Sequence, residues 1–211
     1  MIARAARQAR GFTLVELLIV IAITAMLAAI VLAVFPRARG MAQRGQCVAH
    51  LRQLTQAARM YAQDYDQRLV PARAGGAPAP SRGYTWCVLL QPHIRNREIL
   101  VCPRDPEPRP TAGSTCLPHS YGINYQLTYN TGWGAGSLAK KLTTTHGHSQ
   151  TILFFDMKSE TEQMGASYLA HGLSRIAPRH EGMAQFAFLD GHVKALQPEA
   201  TVDPVNMWAP R

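Results

Sequence analysis

The stretch that decides the fold is "RGFTLVELLIVIAITAMLAAIVLAVFPRARG", Arg10 to Gly40. From Phe12 to Phe35 it runs 24 residues with a single charged side chain, Glu16. About 20 mostly apolar residues suffice for a helix to cross a bilayer, so the run is long enough to span. A carboxylate inside it costs roughly a few kcal/mol on insertion scales. Glu16 lies about one helical turn after Phe12, behind Gly11 and three arginines, Arg4, Arg7 and Arg10. By the positive-inside rule these arginines stay cytoplasmic and the bulk of the chain is exported. A secretory signal peptide fits poorly, because its apolar core is about 7–15 residues long. The end of this run also offers only Ala38-Arg39-Gly40 as a small-residue cleavage site. A plain signal anchor would have no use for Glu16.

Gly11, Phe12, Thr13, Leu14, Val15 and Glu16, behind a short basic leader, resemble the class III signal of type IV prepilins and of the pseudopilins of type II secretion. The resemblance implies cleavage after Gly11 by a membrane aspartyl prepilin peptidase, then methylation of the new amine on Phe12. The residue types suit those roles. Gly11 has no Cβ, so the backbone leaves the helix for a protease cleft without steric penalty. In a filament the Glu16 carboxylate would meet the N-terminal amine of a neighbouring subunit, offsetting the burial of both charges and setting register. The plainer alternative is a carboxylate that snorkels to the membrane interface.

The chain has 211 residues, 47% hydrophobic and 17% charged, which argues against a wholly disordered protein. Roughly 170 residues beyond the apolar run suffice for one globular domain. The net charge is +9, but the basic residues are scattered and Arg-rich with no continuous helical stripe, so no nucleic-acid partner is expected. The four cysteines, Cys47, Cys87, Cys102 and Cys116, form no C-x-x-C pair. All follow the apolar run, and an even count on an exported domain suggests disulfides. Three pairings are open: Cys102 with Cys116 closes the shortest loop, while Cys47 with Cys102 ties the long helix to the domain.

Pro36 is expected to end or kink the spanning helix, since proline lacks the backbone donor. Beyond it, Val48, Leu51, Leu54, Ala58, Tyr61 and Tyr65 recur at spacings of three and four, one apolar stripe suited to packing on a sheet. Val70 to Gly83, rich in Pro, Gly and Ala, reads as a loop, as does "DPEPRPTAGSTCLP". "YTWCVLLQPHI" is a short helix or strand, "REILVCPRD" a short strand, "SYGINYQLTYN" β-prone, and Thr151 to Asp156 a buried strand. Asp190-Gly191 sits between two alternating runs and predicts a two-residue type I′ hairpin. Its register would pair Leu189 with His192, Phe188 with Val193 and Phe186 with Ala195.

His180 and Asp190-Gly191 form a His-x9-Asp-Gly pattern. With "LLQPHIRNREILVCPRD" and "SYGINYQL" it is similar to a large set of bacterial prepilin-like proteins bearing that C-terminal signature. His180 and Asp190 would approach each other across the hairpin base or bind a cation; the plainer alternative is a hydrogen-bonded histidine and a turn aspartate.

No catalytic chemistry emerges. His146, His148, His171, His180 and His192 show no metal-ligand spacing, and no G-x-S-x-G, Walker loop or G-x-G-x-x-G occurs. The acids Asp156, Glu160, Glu162, Asp190, Glu199 and Asp203 are too dispersed to name a calcium cage, so no cofactor is expected and calcium stays an open option. The expectation is a non-enzymatic α+β, type IV pilin-like subunit, its long N-terminal helix packed on an antiparallel sheet. Residues 1–11 are the leader, 12–35 the transmembrane and filament-core helix, 36–68 its amphipathic continuation, and 69–211 a periplasmic globular domain. Anchored by a single pass in a bacterial inner membrane, it would pass into a homo- or heteropolymeric helical filament with other pilin-like subunits and the secretion or pilus machinery. The alternative is a membrane-tethered, non-polymerising domain that binds a glycan or exported partner through Trp86, Tyr121, Tyr125 and Trp133.

Overall fold

A computed structural model describes residues 12–74, 84–108, 117–128, 139–145, 147–158 and 173–209. The leader with Gly11, most of the two predicted loops, Cys116, Trp133, His146, Glu160, Glu162 and His171 lie outside them. The chain divides into two compact units, Met1–Met41 and Ala42–Arg211.

In the first unit, helix α1 (Leu14–Asp64) begins and carries the apolar run from Leu14 onward. It does not end at Pro36, which lies inside the helix. The apolar run that precedes it makes the helix long enough to span a membrane, a setting in which interior proline is tolerated.

In the second unit, α1 turns one face to a core. Cys47, Leu51, Leu54, Thr55, Ala57, Ala58, Tyr61 and Ala62 are buried, at the three-and-four spacing of the expected stripe. Tyr65 departs from it: the helix is ending there, and its ring stacks on Tyr61 while remaining exposed. Asp66 and Gln67, at φ 53° and 59°, reverse the chain without a glycine, and the Gln67 N–H bonds the Ala62 carbonyl at 2.7 Å.

Short elements follow: β1 (Arg73–Ala74) pairs with β2 (Tyr84–Thr85), and α2 (Trp86–Leu89) comes next. Arg97–Leu100 is a 3₁₀ turn rather than the expected strand. Asn96 caps it, its side chain accepting the Glu98 N–H at 2.9 Å, and this local bond prevails over the β propensity of Ile99. After β3 (Tyr121–Ile123), the β-prone stretch turns into a one-turn helix, α3 (Tyr125–Thr128), started by Asn124 accepting the Gln126 N–H.

The main sheet adds β4 (Ile152–Asp156), β5 (Ala184–Phe188) and β6 (Val193–Leu196), all antiparallel in the order β3-β4-β5-β6. Its register shifts between Ile152 and Phe154. The bulge turns two consecutive side chains, Leu153 and Phe154, into the core shared with α1, while Ile152 and Phe155 join a second core on the other face. That second core is closed by Trp208, whose ring meets Phe155 edge-on at 4.9 Å and whose indole N–H donates to Thr201. Both faces of β4 and β5 are therefore covered, which explains the continuous apolar run Ile152–Phe155 of β4 and the burial of every residue of β5.

The hairpin register differs from the expected one. Ala187 pairs with Val193, Phe186 with Lys194, Gln185 with Ala195 and Ala184 with Leu196. The Gly191 N–H bonds the Phe188 carbonyl and the Phe188 N–H bonds the His192 carbonyl, so the loop holds three residues rather than two. Gly191 alone takes positive φ, 99°, as in a type I turn followed by a bulge. The extra residue moves Phe186 and Phe188 to the second core and leaves Ala187 and Val193 facing α1, as a one-residue slip must.

Candidate functional site

The N-terminal tip is organised by its own sequence. Thr13 precedes the helix, and its backbone N–H and hydroxyl both donate to Glu16 Oε2, at 2.9 and 2.8 Å. The Glu16 N–H in turn bonds Thr13 Oγ1 at 3.2 Å. This reciprocal pair is a capping box, which satisfies donors that the first helical turn leaves open. The signal was present as Thr-Leu-Val-Glu before an apolar run, and the reading that a solitary anchor has no use for Glu16 is corrected: the carboxylate has a local partner. Behind it, Phe12 and the large apolar side chains from Leu14 to Phe35 are exposed in the isolated chain. Leucine-rich surface of this extent is stable only in lipid or against other apolar surface.

The other predicted residues gather in the second unit. Cys47 on α1 is disulfide-bonded to Cys102, with Cα atoms 5.4 Å apart. Cys87 is also disulfide-bonded. The first bridge ties α1 to the segment after the 3₁₀ turn.

His180 lies beside that bridge. It starts a tight turn in which Glu181 and Gly182 have φ 57° and 79°, and its backbone exchanges both hydrogen bonds with Met183. The two-residue reversal expected at Asp190-Gly191 is thus made at Glu181-Gly182. The turn places the His180 ring, 1% exposed, with Nε2 at 3.6 Å from Cys102 Sγ and 3.7 Å from Asp156 Oδ2. Burial pushes the Asp156 carboxyl up to about 7, opposed by the Gln185 N–H on its Oδ2 and by Arg179. Burial pulls the His180 imidazole down to about 4, in the same direction as Arg104, Arg44 and Arg179. At 3.7 Å, between a neutral imidazole and a carboxyl held near neutrality, the contact is packing rather than an ion pair. Arg179 finds its charge partner elsewhere. It donates to Asp105 at 2.8 Å and to the carbonyls of Met157 and Ser120, joining three segments around the same centre.

His180 and Asp190 do not meet across a hairpin base; they stand at opposite ends of β5. Asp190 closes its own turn, accepting from the His192 N–H and ring, while Arg59 of α1 bonds its carbonyl. The nine intervening residues therefore measure a tight turn, one strand and the first position of the next loop. The partner of His180 that sequence reasoning missed is Asp156, at the end of an otherwise apolar strand. An acid closing "ILFFD" was the available signal.

Among the remaining expected residues, Trp86 and Tyr121 are fully buried core, not the exposed recognition residues that the tethered alternative needs. His148 bonds the Leu142 carbonyl.

Comparison with known families matches residues 6–32 to the prokaryotic N-terminal methylation motif. No curated protein and no solved structure matches the chain. The chain thus carries the signal of type IV prepilins and pseudopilins ahead of an α+β domain consistent with a pilin-like fold.

Proposed function

We propose that this chain is a pilin-like structural subunit, cut after Gly11 by a prepilin peptidase, methylated on Phe12, and assembled into a helical filament of the type II pseudopilus or type IV pilus kind. The observation that carries this reading is the coincidence of the methylation motif with a helix exposed along its whole apolar run. In the membrane, lipid covers that surface; in a filament, the same segments of other subunits cover one another. Assembly is head-to-tail, a heterologous contact that propagates instead of closing. Glu16, capped by Thr13, stands where the freed Phe12 amine of a neighbour would be neutralised. The second unit would lie in the periplasm and then form the filament exterior. The long stretches of sequence between its strands favour a pseudopilin over a major pilin.

The capping box supplies the test. Glu16→Gln keeps a side chain able to cap Thr13 but removes the charge, whereas Thr13→Ala removes the cap and keeps the charge. The filament reading expects Glu16→Gln to be cleaved normally yet lost from filaments, and Thr13→Ala to be incorporated. A Glu16→Gln chain that assembles like the parent would favour the tethered, non-polymerising domain. Mass spectrometry of the mature end should find methyl-Phe12; a start near residue 40 would exclude both readings.

A further inference from the structure

The centre around His180 contains more chemistry than a packed core requires. Cys47, Cys102 and His180 bring their ligand atoms within 4.8 Å of one another, all three side chains buried. Asp156 Oδ2 stands beyond them at 3.7 Å from the same imidazole nitrogen that faces Cys102. Asp156 lies beside Tyr121, its registered partner on β3, and beside Gln185 on β5, whose N–H it holds. Five buried polar atoms here have no hydrogen-bond partner among the described residues: Ser120 Oγ, Tyr121 Oη, Asp156 Oδ1, His180 Nδ1 and Gln185 Nε2. Buried polar atoms are ordinarily satisfied, so such a concentration calls for an explanation, and a bound ion is one of those that apply.

The distances suit such an ion. Zinc held tetrahedrally, with Zn–N about 2.0–2.1 Å and Zn–S about 2.3 Å, places nitrogen and sulfur about 3.6 Å apart, and nitrogen and a carboxylate oxygen about 3.4 Å apart. The corresponding edges here are 3.6 and 3.7 Å. Two changes are needed: the sulfur–sulfur bond opens, and Asp156, outside the group of atoms within 4.8 Å of one another, closes on the sulfurs. We propose that the dithiol form of this chain binds one thiophilic divalent cation, of the zinc class, through Cys47, Cys102 and His180, with Asp156 as fourth donor. The ion and the disulfide then compete for the same two sulfurs. Every chain is synthesised with thiols, so the ion would hold α1 against the sheet before oxidation and shield the pair from mispairing with Cys87. Binding is balanced by proton release: the cation displaces one proton from each thiol and the proton held on the Asp156 carboxyl, and bonds both thiolates and the carboxylate, while His180 binds through neutral Nε2. Nothing in the sequence spacing announced the set, because its ligands come from a helix, a loop, a turn and a strand.

The test uses the full chain in detergent, reduced by a phosphine, which takes one water and leaves two thiols and the phosphine oxide. Cobalt(II) is then added as the spectroscopic probe. The expected result is one cobalt per chain with a thiolate-to-metal charge-transfer band, kept by Cys87→Ser and lost by Cys47→Ser and His180→Gln. Zinc should slow alkylation of Cys47 and Cys102 by at least tenfold in the parent chain and leave Cys87 unaffected, a readout that needs no variant. Cobalt bound without the thiolate band, a band unaffected by His180→Gln, or equal alkylation of all thiols would each overturn the proposal.

Discussion

The two halves of α1 are the same kind of structure under opposite demands. From Leu14 to Phe35 the helix is apolar all round but for Glu16 and Thr24, and exposed all round. From Cys47 to Ala62 it is apolar on one face, and that face is buried against the sheet. Helix-forming residues alone do not distinguish them; the distribution of polar groups around the axis does. The first half answers to whatever solvates it, the second to its own domain.

The most damaging way to test the second half is to remove its staple. Replacing Cys47 and Cys102 together by alanine frees a separation of 55 residues, worth about 4 kcal/mol on the chain-entropy account. Denaturant unfolding of the second unit should shift accordingly. Next, Leu54→Ala deletes a fully buried side chain and should cost about 2–5 kcal/mol, whereas Leu27→Ala, exposed, should leave that unfolding curve in place and weaken only membrane retention. Equal effects from the two would erase the contrast between the halves. Away from the helix, Gly122→Ala would put a Cβ 2.7 Å from the Phe155 ring and should cost about 1–3 kcal/mol.

A smaller effect concerns pH. Asp156, raised to about 7, holds a proton in the folded chain that it loses near pH 4 when unfolded, so its contribution falls as pH rises from about 4 to 7. His180, lowered to about 4, stays neutral where the unfolded imidazole binds a proton. Its contribution is therefore complete above about 6.5 and is lost as pH falls toward 4. The two slopes oppose, and the oxidised parent chain should be nearly flat across that window. Asp156→Asn should make stability rise with pH there, and His180→Gln should make it fall; matching slopes in both variants would refute the assignment. The smallest expected change is a gain of up to about 1 kcal/mol from Gln67→Gly, which relieves the positive φ of 59° where α1 ends.

The long elements were legible because one interaction dominates each. The Leu51, Leu54, Ala58 and Tyr61 stripe and the "ILFFD" strand are set by burial, which sequence periodicity reports directly. Short elements obeyed single local bonds instead. Asn96 made a 3₁₀ turn of a β-prone stretch, and Gly191 took the bulge position of a three-residue loop instead of half of a two-residue one. At Thr13 and Glu16 the motif points to what lies outside the chain, while the spacing also makes the mutual bonds of a cap. The Asp156–His180 contact was invisible for a different reason: it depends on which residues a bulged, twice-covered sheet brings to one spot.

Both bonds that Thr13 gives to Glu16 end on the same oxygen, Oε2. Side-chain rotation is thereby restricted within the tip itself, and the remaining oxygen takes no part in the cap. A docking ammonium group would find a pre-aimed acceptor, with the entropy of freezing that side chain already spent during folding of the tip.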